Sequence, residues 1–232
     1  MIPLRDINPT RSTPVLTYLI IAANVVVFAY QLSLGHVGEE RFVRQYGLIP
    51  AFISAGHVGS FITPLTSMFM HGGFLHIIMN MWSLYIFGDN VEDALGKLRF
   101  VVFYLLCGFA AAAAQVLIDP SSTLPMVGAS GAIAGVLAAY MRLFPRARIV
   151  VLLWFFFFVS TPTVPAWIFI LIWFAFQLLA GLDVLHAGAE ASGGVAVFAH
   201  IGGFLAGMLL VLRVSTRRNA TRGFRSPSRQ GY

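Results

Sequence analysis

Two short stretches carry the residues with the clearest chemistry. They are Gly128-Ala129-Ser130-Gly131 and, far downstream, Ala199-His200-Ile201-Gly202-Gly203. Ser130 opens an apolar segment that continues to Phe144, and His200 stands near the start of another that ends at about Arg213. A lone serine says little, because Ser and Gly are common where membrane helices touch. A serine and a histidine together say more. An adjacent imidazole can take the hydroxyl proton and turn the serine into a nucleophile. Inside a membrane, ionisable side chains are costly and mark function by default.

The elements that must position this pair are apolar spans. The chain has 232 residues, 58% hydrophobic and 10% charged, where soluble domains run at about 25% charged. Uncharged apolar runs of this kind are the signature of an integral membrane protein. Six spans are read at residues 15–34, 68–87, 100–118, 126–144, 166–182 and 195–212. The fold class is thus an all-α membrane protein, a six-helix bundle over residues 15–212. Residues 1–14 form a polar N-terminal segment, and residues 213–232 a basic, disordered tail. The first span is too long for a signal-peptide core and is read as retained. Residues 149–159 are too few to cross about 30 Å of hydrocarbon and are followed by Pro162 and Pro165. They are read as an interfacial or partly buried segment. The single cysteine, Cys107, allows no internal disulfide.

Basic residues orient the bundle. Arg5, Arg11, Lys97, Arg99, Arg142, Arg146, Arg148 and the six arginines from Arg213 to Arg229 fall on one side. They make 13 of the 15 Lys and Arg, with only Arg41 and Arg44 opposite. Both termini are therefore expected in the cytoplasm. The tail reads as a positive-inside anchor touching anionic lipid headgroups, not as a nucleic-acid arm.

With six spans, the even-numbered ones run inward. Ser130 lies about one turn into the fourth, His200 just over one turn into the sixth, and His76 about two turns into the second. All three fall in the non-cytoplasmic leaflet. Asn80 follows His76 by four residues and shares its face, whereas His71 is expected to cap or pack in the preceding loop and to face away. Strips of small residues, Ser130/Ala134/Ala138 and His200/Gly203/Gly207, would let spans four and six approach closely. Amide hydrolysis also needs donors for a tetrahedral oxyanion. The Ser130 backbone N–H, the Asn80 amide and the His76 imidazole are the candidates. No Asp or Glu lies in the outer half of any span, so the pair is expected to work as a Ser–His dyad. This chemistry calls for no metal and no cofactor.

The residues resemble the rhomboid family of intramembrane serine proteases. The resemblance rests on His71-Gly72-Gly73-Phe74-Leu75-His76-Ile77-Ile78-Met79-Asn80-Met81, then Phe87-Gly88 with Glu92 and Gly96. Gly128-Ala129-Ser130-Gly131-Ala132 and His200-Ile201-Gly202-Gly203-Phe204-Leu205-Ala206-Gly207 complete it. It covers about residues 60–212. It implies Ser130 as nucleophile, His200 as general base, and His76 and Asn80 as oxyanion-stabilising residues. Glu92 is implied as a structural residue in the cytoplasmic connection after span two. It implies substrates that are membrane proteins with a transmembrane helix, a site open to the non-cytoplasmic side, and a place in the lipid bilayer, read as a prokaryotic plasma (inner) membrane. In one respect the chain departs. Some members carry an aromatic residue one turn after the nucleophile, stacked on the catalytic histidine, and here that position is Ala134. The histidine must be held by other groups.

Three other readings compete. A catalytically inactive relative would bind membrane clients without cutting them. A metal site could use His71, His76 and His200, and a transporter would need a polar pathway. The intact Ser–His pair, the lack of acidic ligands and the confinement of polar residues to one leaflet argue against them in turn.

Overall fold

The computed structural model describes residues 2–155, 157–187 and 196–213. Among them nine α-helices and four short strands follow one another. α1 (Val15–Ser33) is the first long apolar helix. α2 (Gly35–Tyr46), α3 (Pro50–Ser54) and α4 (Thr63–Thr66) lie between the first two expected spans. α5 (Phe74–Leu95), α6 (Lys97–Ile118), α7 (Ser130–Leu143), α8 (Ala166–Ala187) and α9 (Val197–Arg213) complete the helices. The strands are β1 (Ile2–Asp6), β2 (Arg148–Phe155), β3 (Phe158–Ser160) and β4 (Thr163–Pro165).

The protein is mostly helical, and among the described residues two helices, α1 and α6, are long and apolar enough to cross a bilayer. A third candidate is the broken pair Val58–Phe69 and Phe74–Leu95, which bends by 75°. The break falls at Gly72-Gly73, and Gly73 takes φ +157°. α7, α9 and the 166–182 part of α8 are apolar but shorter.

α7 is the axis of the bundle. Its residues from Gly131 to Tyr140 are buried without interruption, so it is enclosed on every side, as an all-round apolar helix must be. α5, α6 and α9 surround it. The tightest contact is with α9, where glycines let two backbones nearly touch. A Cβ on Gly203 would lie 1.9 Å from the Gly131 carbonyl oxygen, and one on Gly207 2.4 Å from that of Gly135. The α7 strip at this contact is Gly131/Gly135, one residue on from the Ser130/Ala134/Ala138 strip expected. A side chain on either α9 glycine would force the helices apart.

The expected all-α class is interrupted by strands at residues 2–6, 148–155, 158–160 and 163–165. β2 pairs antiparallel with β1, with Ile2 opposite Leu152 and Asp6 opposite Ile149. β3 and β4 pair with other parts of β2. The Ile-Val-Val-Leu-Leu-Trp run is β-branched and aromatic, which favours a strand, and Pro145, Pro162 and Pro165 keep a helix from running through it. The segment is partly buried, with Ile149 and Val151 inside and Trp154 exposed. Residues 2–6, within the polar N-terminal segment, form a strand. The Trp82 indole N–H donates to the Pro3 carbonyl at 2.6 Å and ties β1 to α5.

Most of the stretch between the second and third expected spans is helix. α5 runs on to Leu95, and Gly96, at φ +84°, makes the turn into α6. Glu92 is therefore a helical residue, and its carboxylate caps the start of α1. It accepts from the Leu16 and Thr17 backbone N–H groups at 3.1 and 2.7 Å and from the Thr17 hydroxyl at 2.8 Å. A carboxylate on the unsatisfied donors of a helix N-terminus is favourable. Most of the basic tail, residues 214–232, and the loop residues 188–195 lie outside the described residues.

Candidate active site

Each polar residue of the site sits in the first turn of its helix or one turn later. Ser130 is the first residue of α7, His76 the third of α5 and His200 the fourth of α9. They lie shallower than expected, within ~5 Å of their helix starts at 1.5 Å per residue. The helices begin later than hydropathy suggests. Glycines at 72, 73 and 128 break the apolar runs before the helices start.

The His200 Nε2 lies 2.7 Å from the Ser130 Oγ. The other ring nitrogen, Nδ1, lies 2.7 Å from the Gln177 Oε1 on α8. The Trp173 ring, one turn earlier on α8, stands 5.9 Å from the His200 ring between centroids, tilted by 43°. The histidine is held by α8, and Ala134 of α7 offers no ring. Sequence reading missed both residues. The signal was there for Gln177, which is the one amide or charged side chain in the apolar run 166–182.

His76 faces the pair across Gly128. The Gly72 N–H points at the His76 Nδ1 at 3.4 Å, which leaves the proton on Nε2. Gly128 adopts φ +128°, and a Cβ there would lie 2.7 Å from the His76 Cε1, 2.8 Å from its Nε2 and 3.7 Å from the Ser130 Oγ. The absent side chain is what lets the imidazole stand beside the serine. The Gly128 N–H donates to the Ser67 carbonyl at 2.9 Å, which fixes the strap. Asn80 is buried and donates one amide hydrogen to the His76 carbonyl at 3.0 Å, with its second hydrogen left for other acceptors. As the first residue of α7, Ser130 has a backbone N–H without a partner in its own helix.

His71 packs in the loop before α5, fully buried. It does not face away entirely, since its ring meets that of His76 edge-on at 5.1 Å. Gln31 of α1 clamps its backbone, donating to the His71 carbonyl and accepting from its N–H, both at 3.0 Å. Among the described residues no group of three or more His, Cys, Asp or Glu is gathered as a metal ion would need.

Ser130, His76, Asn80 and His200 all line one cavity of about 860 Å³, together with Trp173, Gly128 and apolar groups such as Phe74, Met79 and Ile133. A cavity of that size admits an extended stretch of several residues. A serine hydroxyl in contact with an imidazole, beside further N–H groups around one space, is an arrangement suited to attack on a carbonyl.

A family model described as the Rhomboid domain matches residues 58–217. Rhomboid protein 1, mitochondrial, of Saccharomyces cerevisiae is 31% identical over 200 residues, which is 84% of this chain and 51% of that protein. Rhomboid protease GluP of Bacillus subtilis is 31% identical over 129 residues, 55% of this chain and 24% of that protein. Inactive rhomboid protein 1 of Drosophila melanogaster is 31% identical over 97 residues, 42% of this chain and 7% of that protein. The chain thus spans about half the length of the yeast relative and about a quarter of the Bacillus one.

Proposed function

The chain belongs to the rhomboid family of integral membrane proteins, and from that premise we propose that it is an intramembrane serine endopeptidase. The observation that carries the proposal is the 2.7 Å contact between the His200 Nε2 and the Ser130 Oγ at the edge of a cavity. Its substrates are membrane proteins with a transmembrane helix, and its own surroundings are the lipid bilayer. The expectation of a prokaryotic plasma membrane belongs to this proposal, and fractionation of the source cell tests it, since the relatives include a mitochondrial protein.

In this reading His200 takes the Ser130 proton as the oxygen bonds to the substrate carbonyl carbon. The carbonyl oxygen gains the negative charge. The Ser130 N–H, the His76 Nε2–H and the free Asn80 hydrogen surround it. His200 then passes its proton to the departing amine as the C–N bond breaks. A water molecule repeats the sequence on the acyl-enzyme, giving a carboxylic acid and restoring Ser130. A relative whose name says inactive supplies the competing reading, a client-binding protein without turnover. The intact serine–imidazole contact favours turnover.

Six spans over residues 15–212, with both termini cytoplasmic, are part of the proposal. The three shorter apolar helices α7, α8 and α9 would be spans four to six, and the first turns of α5, α7 and α9 would then share the outer leaflet. Purified protein incubated with a panel of single-span substrates tests the function. The wild type is expected to cut, near the outer end of the span and beside a small or helix-breaking residue, because an intact helix hides its carbonyls. Ser130→Ala is expected not to cut. Equal product from both proteins would remove the proposal.

A further inference from the structure

We propose that Gln177 is the positioning residue of the site, holding His200 in the one tautomer that can act as base; this rests on the reading of Ser130 and His200 as a catalytic pair. A neutral imidazole has one N–H and one lone pair. The lone pair must face the Ser130 hydroxyl if His200 is to take its proton. The Gln177 Oε1, 2.7 Å from Nδ1, can only accept, so Nδ1 carries the hydrogen and Nε2 the lone pair. The opposite tautomer would leave two acceptors facing each other on one side of the ring. On the other side a ring N–H would point at the serine.

The fold builds this contact deliberately. Trp173, Gln177 and Gly181 stand four residues apart on one face of α8. Trp173 meets the His200 ring. A Cβ on Gly181 would lie 3.5 Å from Ile201 and 3.6 Å from Phe198 and Val197, so the same face of α8 runs along the start of α9. The three residues form one docking stripe whose polar member falls on the imidazole. In soluble serine proteases a buried carboxylate fixes the histidine tautomer and stabilises the imidazolium. In an apolar span a carboxylate is costly to bury. A neutral amide fixes the tautomer without that cost, and gives up the charge stabilisation.

The test uses the full-length protein in lipid, with Gln177→Leu and Gln177→Glu. Leucine removes the acceptor and suits an apolar helix, while glutamate keeps an oxygen at the same reach. Gln177→Leu is expected to lower kcat roughly 10- to 100-fold, as loss of a partner orienting an imidazole does elsewhere, with KM little changed. Gln177→Glu is expected to restore most of the loss. Nitrogen-15 spectra of histidine-labelled protein, with His200 assigned by its loss in His200→Gln, give a readout that needs no turnover. The wild type should show the Nδ1–H form, and Gln177→Leu a mixture. A leucine variant with wild-type kcat, an unchanged tautomer, or a glutamate variant as slow as leucine would each overturn the role. Failure of the protease reading itself would look different, as cleavage that survives Ser130→Ala while the tautomer still follows residue 177.

Discussion

Removing a donor and removing the nucleophile should have different consequences. His76→Ala and Asn80→Ala each take away one group from the oxyanion, worth about 3 kcal/mol or roughly 10²–10³ in kcat. Turnover should fall by that factor and persist, because Ser130 and His200 remain. Complete loss in a folded variant would move His76 or Asn80 into the proton path. Gly128→Ala should be at least as damaging as His76→Ala. Its methyl would lie 2.7 Å from the imidazole, on a backbone at φ +128°. Steady-state kinetics alongside a melting curve checks this, and near-wild-type kcat would mean the ring need not stand against residue 128. Ser130, His200, His76 and Asn80 were legible in the sequence because each is a polar side chain in an apolar run. Gln177 obeys the same rule, but no nearby motif drew attention to it. Gly128 was visible as part of a motif, yet its reason is a contact with a residue 52 positions away and needed the fold.

At the scale of elements, β1 is the piece that sequence could not place. Its five residues include a proline and two charges, and its partner strand lies more than 140 positions along the chain. α1 and α6 were legible to within a few residues, because burial in lipid demands continuous apolar sequence. The starts of α5 and α7 were not, since the short helices and glycine-containing segments before them are apolar too. β1 also carries a titratable anchor. The Asp6 Oδ2 accepts from the Tyr140 hydroxyl at 2.8 Å and from the Asn90 amide at 3.0 Å, with the Asp89 carboxylate close by. Burial raises the Asp6 carboxyl above its ordinary value of 3.8, against the lesser pull of the Tyr140 hydrogen bond. A raised carboxyl favours the protonated folded state. Its contribution is complete below the ordinary value and is lost as pH rises through the folded value. The melting temperature of the wild type should therefore fall more than that of Asp6→Asn between about pH 4 and 7. Equal slopes would show that Asp6 does not couple β1 docking to pH.

The whole molecule places the site of the proposed hydrolysis at one end of an apolar bundle. α7 is surrounded by other helices, so Ser130 at its first residue is centred, and the close glycine contact with α9 brings His200 to it. Composition made the membrane legible, and the charge bias is what the proposed inward direction of α7 rests on. The cavity was not legible, because it is made by the bend before α5 and by the strap at Gly128. The central claim is that Ser130, activated by His200, forms a covalent bond with a substrate carbonyl carbon. The most direct measurement is the mass of the Ser130 peptide after treatment of the lipid-embedded protein with a fluorophosphonate. The adduct is expected on Ser130 in the wild type, greatly reduced in His200→Ala and absent in Ser130→Ala. An adduct on another residue of an active wild type, or undiminished labelling of Ser130 without His200, would contradict the account.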